Sequence, residues 1–140
     1  MPTGRVTLTA GTEALRSLRF SGKVLRWYAD CCRTPIANSA ASPRFPVAGL
    51  IHSFMTDAAD GASRDAALGP LHCRLYERSA TRPLLVNAPA PTFGLFARRG
   101  TKLIDWWWRG LARPNPFFDA ETGAPRAVPR VITPEERAAL

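Results

Sequence analysis

The chain has 140 residues and a mass of 15.3 kDa, which is at most one domain's worth of polypeptide. Hydrophobic residues are 46 % and charged residues 21 %, a globular composition that excludes a disordered or collagen-like chain. The net charge is +8. No apolar run is long enough for a transmembrane helix, and the first twenty residues, which carry Arg5, Arg16 and Arg19, are not a secretory signal.

Residues 5–10 (RVTLTA) are rich in β-branched side chains and stop at Gly11, which predicts a strand. Leu18 and Phe20, then Leu25 and Trp27, alternate with polar residues around Ser21-Gly22-Lys23. That pattern predicts a β-hairpin burying Leu18, Phe20, Leu25 and Trp27 on one face. Residues 29–34 form a cysteine-bearing turn, and Pro35 opens a return strand over 35–39. A loop over 40–46 leads to an apolar, strand-length run at 47–54. Residues 56–68 read as a polar loop with room for a short helical turn. Leu71, Cys73 and Leu75 alternate as another strand, and 82–91 is a proline-bearing connector.

The period changes at residue 92. At 100° per residue, Phe93, Phe96, Leu103, Ile104, Trp107, Trp108 and Leu111 share one arc, and Arg98, Arg99, Lys102, Asp105, Arg109 and Arg113 share the other. This predicts an amphipathic helix over 92–112, with Trp106 among the charges and Pro114 and Pro116 ending it. The following stretch, 115–131, is proline-rich, with a turn at Glu121-Thr122-Gly123. Thr133, Pro134 and Glu136 supply an N-cap, an N1 proline and a capping-box glutamate for a short terminal helix.

The basic excess is almost all arginine and is dispersed: +5 over residues 1–50, neutral over 51–90 and +3 over 91–140. No single reading element concentrates it, so nucleic acid is not expected as a partner. Cys31, Cys32 and Cys73, with His52 and His72, include no CxxC pair, and an adjacent pair such as Cys31-Cys32 bridges only with strain. Without a secretion signal these are reduced thiols, and a cytoplasmic location is expected. Phosphate-loop, dinucleotide, HExxH and GxSxG motifs are absent. Nothing in the spacing pairs His52 with either thiol as a base, so no catalytic residue is assigned.

The segment 25–39, LRWYADCCRTPIANS, resembles the second zinc knuckle of the glutathione-dependent formaldehyde-activating enzyme family, which includes centromere protein V. In that pattern an aromatic residue precedes CxxCG and a threonine or serine. Tyr28 takes the aromatic place, Ala29 stands where the first cysteine belongs, Cys32 takes the second, and Arg33 replaces the glycine before Thr34. This resemblance covers about residues 5–77. The chain resembles more closely a bacterial branch of the family in which WYADCC replaces the knuckle. In that branch Phe117-Phe118-Asp119-Ala120, Thr122-Gly123-Ala124-Pro125 and Pro129-Arg130-Val131 follow a basic helix, so nearly all of 3–140 is covered.

The resemblance implies a mainly β (α+β) fold: a β-rich, two-sheet, zinc-fold-like domain with an amphipathic C-terminal helix. In the family a CxC pair and the CxxC pair hold a structural zinc, and a second cysteine cluster carries the carbon–sulfur lyase chemistry on a glutathione adduct. Against that pattern the chain keeps only Cys32, with Cys31 beside it, as a remnant metal site. No cofactor is expected within the chain, and zinc only with ligands supplied from elsewhere. The expected organisation is a β-rich region over 1–78 matching the later part of the family fold, a connector over 79–91, and a helix with a proline-rich extension packing on it over 92–140.

The expected function is that of a non-catalytic or truncated family member. A truncated sheet would bare the face carrying Leu18, Phe20, Leu25 and Trp27 and favour self-association. Two alternatives stand beside this reading. One is an anionic-surface or membrane binder using the Trp-rich helix 92–112, although the commoner arrangement docks such a helix on the sheet. The other is a zinc-dependent carbon–sulfur lyase if an upstream segment supplies the missing cysteines.

Overall fold

A computed structural model describes residues 1–57, 61, 63–69, 92–133, 135 and 136. The strand expected at 71–76, the connector expected at 79–91, and His72 and Cys73 lie outside the described residues. The chain divides into two compact units. One joins Met1–Phe54 with Leu103–Leu140, and the other is Met55–Lys102.

The first unit is built on a five-stranded mixed sheet, of the mainly β, α+β class expected. Its strands are β1 (Leu15–Ser21), β2 (Val24–Ala29), β3 (Pro35–Ala40), β4 (Ala48–Leu50) and β5 (Arg130–Val131), in the order β4-β3-β2-β1-β5. The first four pair antiparallel, and β5 joins β1 in parallel. A second sheet has no strand among the described residues.

The hairpin forms where the glycine turn and the alternation place it, but half of its buried face differs from the expectation. In register, Ser17 lies opposite Trp27, and Leu18 lies opposite Arg26. Facing residues of an antiparallel pair share a side of the sheet. Leu15, Ser17, Leu25 and Trp27 therefore point into the core, and Leu18 points to the other face. The register shifts between Leu18 and Ser21, and Phe20 receives the Arg26 guanidinium over its ring at 5.0 Å. The physical reason is the bulk of the indole. Trp27 has Ser17 on one side and Ala37 on the other, small residues that leave it room. The inward Ser17 hydroxyl donates to the Ala127 carbonyl at 3.0 Å, so its burial leaves no polar group unpaired.

The core is closed by a distant segment. Phe117 stacks on Trp27 with ring centroids 5.1 Å apart, and Phe118 meets it edge-on at 6.3 Å. Both phenylalanines are buried. The Trp27 indole N–H donates to the Ser39 hydroxyl at 2.9 Å, which donates on to the Ala40 carbonyl. The face carrying Leu25 and Trp27, expected to be buried, is thus covered by the chain's own Phe117 and Phe118. The loop after Phe118 folds back through the Asp119 carboxylate, which accepts from the Thr122 backbone N–H and hydroxyl at 2.8 Å each.

Residues 5–10 do not form the expected strand. Thr3–Arg5 is a 3-10 turn followed by extended chain, with Val6 and Leu8 packed against the core. Gly4 donates to the Leu111 carbonyl at 2.8 Å. A Cβ there would lie 2.6 Å from the Arg113 carbonyl oxygen, so the approach requires glycine. The apolar run 47–54 gives only three strand residues before the 3-10 turn His52–Phe54. In the second unit, the short helix α1 (Arg64–Leu68) supplies the helical turn anticipated in 56–68.

Helix α2 (Phe93–Trp108) starts at Thr92, whose hydroxyl accepts from the Leu95 N–H at 3.3 Å. It ends earlier than expected, and not at the prolines. Gly110 takes a φ of 66°, its N–H bonds to the Trp107 carbonyl, and the Leu111 N–H bonds to the Trp106 carbonyl. These two bonds satisfy the end carbonyls in a Schellman motif. The capping box at 133–136 forms in both directions: the Glu136 N–H donates to Thr133 Oγ1 at 3.2 Å, and the Thr133 N–H donates to Glu136 Oε2 at 3.0 Å.

Candidate functional site

Three features of the described residues bear on function. The first is the turn between β2 and β3. Arg33 adopts a φ of 58°, and Asp30 pairs with Arg16 at 3.4 Å and with Arg33 at 3.7 Å. Both thiols are exposed, with Sγ atoms 3.7 Å apart. Cys32 Sγ lies 3.0 Å from Thr34 Oγ1. Hydrogen bonds from the Thr34 hydroxyl and backbone, and then from the Cys31 thiol, hold the Cys32 thiol below its ordinary pKa. Cys31 is raised, first because it donates to Cys32 and then because a charge there repels its own. The turn therefore pairs a thiolate-inclined sulfur with a thiol that donates to it.

That pair does not make a tetrahedral zinc site by itself. Structural zinc takes four ligands, and no group of three or more His, Cys, Asp or Glu side chains comes together among the described residues. His52 is exposed in the 3-10 turn after β4 and forms no hydrogen bond with either thiol. No step through zinc is derived from these residues.

The second feature is α2. No residue of its sixteen is buried. Phe93 is 87 % exposed and Trp108 81 %, while Phe96, Ile104 and Trp107 are also exposed. On the opposite arc Arg109 pairs with Asp105 at 2.8 Å, whereas Arg98, Arg99 and Lys102 form no ion pair among the described residues. No helix among the described residues is long and apolar enough to cross a membrane.

The third feature was not legible in the sequence. The first unit contains an open cleft of about 1060 Å3 between the last turns of α2 and the sheet face opposite the core. Leu103, Ile104 and Trp107 line one side; Val24, Ala40 and Gly49 line the other. In register, Val24 lies opposite Ala40, and Asn38 opposite Gly49, so these residues face away from Trp27. The residues are small or short on the sheet side, which is what leaves the space. Lys23 and Arg44 are the charged side chains of the lining, which has no acidic residue.

A family model matches residues 2–128, which takes in the thiol turn, the whole of α2, the cleft and the Phe117–Phe118 closure. The chain belongs to DUF6151. This is a family of unknown function. Comparison with curated proteins and with solved structures returned no match. Of the residues singled out in the sequence, the fold brings Cys31 and Cys32 together and leaves His52 apart from them. The closing role of Phe117 and Phe118 had one sequence signal, an adjacent aromatic pair within an otherwise proline-rich stretch.

Proposed function

We propose that this DUF6151 member is a non-catalytic protein that binds anionic membrane surfaces through α2, at the cytoplasmic face. The observation that carries the proposal is a 16-residue helix with no buried residue, presenting Phe93, Phe96 and Trp108 to solvent. Helices that lie in a membrane interface combine Trp, Phe and Leu on one face with Lys and Arg on the other. Arg98, Arg99 and Lys102 supply the second face, and the chain as a whole carries +8. The complementary surface is an anionic headgroup layer, which attracts each nearby basic side chain by about 1 kcal/mol. On this reading the knuckle-like turn, which resembles that of the formaldehyde-activating enzymes, is retained without lyase chemistry. Its thiol pair has no third ligand among the described residues.

Vesicle co-sedimentation tests the proposal. The full chain is expected to pellet with phosphatidylglycerol-containing vesicles, to stay in solution with pure phosphatidylcholine, and to be released as salt rises. Phe93→Ser with Trp108→Ser removes two side chains that touch little else and should abolish pelleting without changing the thermal midpoint. Equal binding to neutral and anionic vesicles, or none to either, overturns it.

A further inference from the structure

We infer that the cleft beside α2 binds a single-chain amphiphile with an anionic head, its acyl chain along Leu103, Ile104 and Trp107 and its head at Lys23 and Arg44. Ligand pockets run about 300–1,000 Å3 and are mainly apolar with a few placed polar groups. At about 1060 Å3 this cleft has the room for a long acyl chain and its head. Val24, Val47 and Phe45 continue the apolar lining on the sheet side. A purely apolar ligand would find no use for the charges. Both charged residues of the lining are cations, and neither Lys23 nor Arg44 forms an ion pair among the described residues. A carboxylate or phosphate head would supply the missing counter-charge, and Arg takes either group bidentately.

Space at Gly49 makes the site testable. Its φ is not in the left-handed region, and an added Cβ would meet only the Asn38 carbonyl oxygen, at 3.9 Å, an ordinary contact. Gly49 sits on the sheet face that looks into the cleft, between the inward Ala48 and the half-buried Leu50. A leucine at this position fills the cleft from its floor and leaves the core face untouched.

The experiment measures binding of 9,10-dibromostearate, oleate, oleoyl-lysophosphatidate and oleyl alcohol to the delipidated full chain, below their aggregation concentrations. Readouts are tryptophan quenching and calorimetry. Expected is one saturable site for the anionic probes, with oleate against oleoyl-lysophosphatidate deciding between a carboxylate and a phosphate head. Quenching by the brominated chain should fall in Trp107→Phe. Gly49→Leu should weaken binding at least tenfold with an unchanged unfolding midpoint. If that variant fails to fold, Ile104→Asp, at an exposed position on the other wall, should weaken binding equally. Lys23→Gln with Arg44→Gln should cost oleate about tenfold and leave oleyl alcohol unchanged. Absence of a saturable site, or a site that neither Gly49→Leu nor Ile104→Asp affects, overturns the inference. A concentration-dependent dimer lost in Gly49→Leu, without oleate binding, overturns it in favour of a second copy. The vesicle reading fails separately: Phe93→Ser with Trp108→Ser should leave oleate binding intact, and Gly49→Leu should leave vesicle pelleting intact.

Discussion

Cys31 and Cys32 are neighbours with opposite tendencies. The Thr34 hydroxyl lowers the Cys32 thiol, while donation to Cys32 and repulsion from its charge raise Cys31. As pH rises, Cys32 ionises first, so iodoacetamide should label Cys32 ahead of Cys31, as read by peptide mapping. Thr34→Val, which removes the hydroxyl but keeps the backbone N–H, should narrow the preference. Asp119 is a second residue whose titration is biased by its neighbours. The Thr122 backbone N–H, then its hydroxyl, hold the Asp119 carboxyl below the usual range. A depressed carboxyl contributes stability above its unfolded-state pKa and loses it as pH falls through its lower folded pKa. The wild-type chain should therefore lose more stability than Asp119→Asn when urea midpoints are compared from neutral pH down to acid. An equal loss in the two would remove the role assigned to this turn.

Among the elements, β1 to β3 depend on a segment that is not a strand at all. Phe117 covers Trp27, and burial of this kind is worth most at positions that cannot collapse around a void. Phe117→Ala should lower stability by about 3–5 kcal/mol, read as a shift in urea midpoint, while Phe93→Ala should shift it little. The hairpin itself was legible in the sequence because Gly22 and the flanking alternation are local signals. The capping box at Thr133 and Glu136 was legible for the same reason. The inward position of Ser17 was not, because the carbonyl that satisfies its hydroxyl belongs to Ala127, over a hundred positions away. β5 is not legible either: two residues in parallel pairing with β1 have no periodicity of their own. The periodicity of helix α2 gives its extent within a few residues, but an apolar arc alone does not say how exposed it lies. At the candidate site the thiol turn could be read locally. The cleft could not, since it arises from small residues on three strands facing a helix more than fifty positions later.

For the whole molecule, the excess of cations sets how it meets other surfaces. Screening shortens the reach of charge from about 10 Å at 0.1 M salt to about 3 Å at 1 M. Membrane attraction resting on Arg98, Arg99 and Lys102 should fade across that range, and the unscreened apolar contribution of Phe93 and Trp108 is too small to hold the chain on the vesicle alone. Reversing the three basic residues to glutamate should therefore weaken vesicle binding tenfold or more at low salt and much less at high salt. The membrane and cleft proposals draw on different cations, which keeps them separable in one set of variants.

The stacking of Phe117 and Phe118 on Trp27 also has a consequence in time. About 90 residues separate Trp27 from its cover, and ribosomes add about 5–20 residues per second, so the indole waits roughly 5–18 s during synthesis before its lid is made. Through that interval the segment that carries Leu25 and Trp27 has no cover for its apolar side chains. Crowded translation is then the stage at which this protein is most open to capture by chaperones or by its own nascent neighbours.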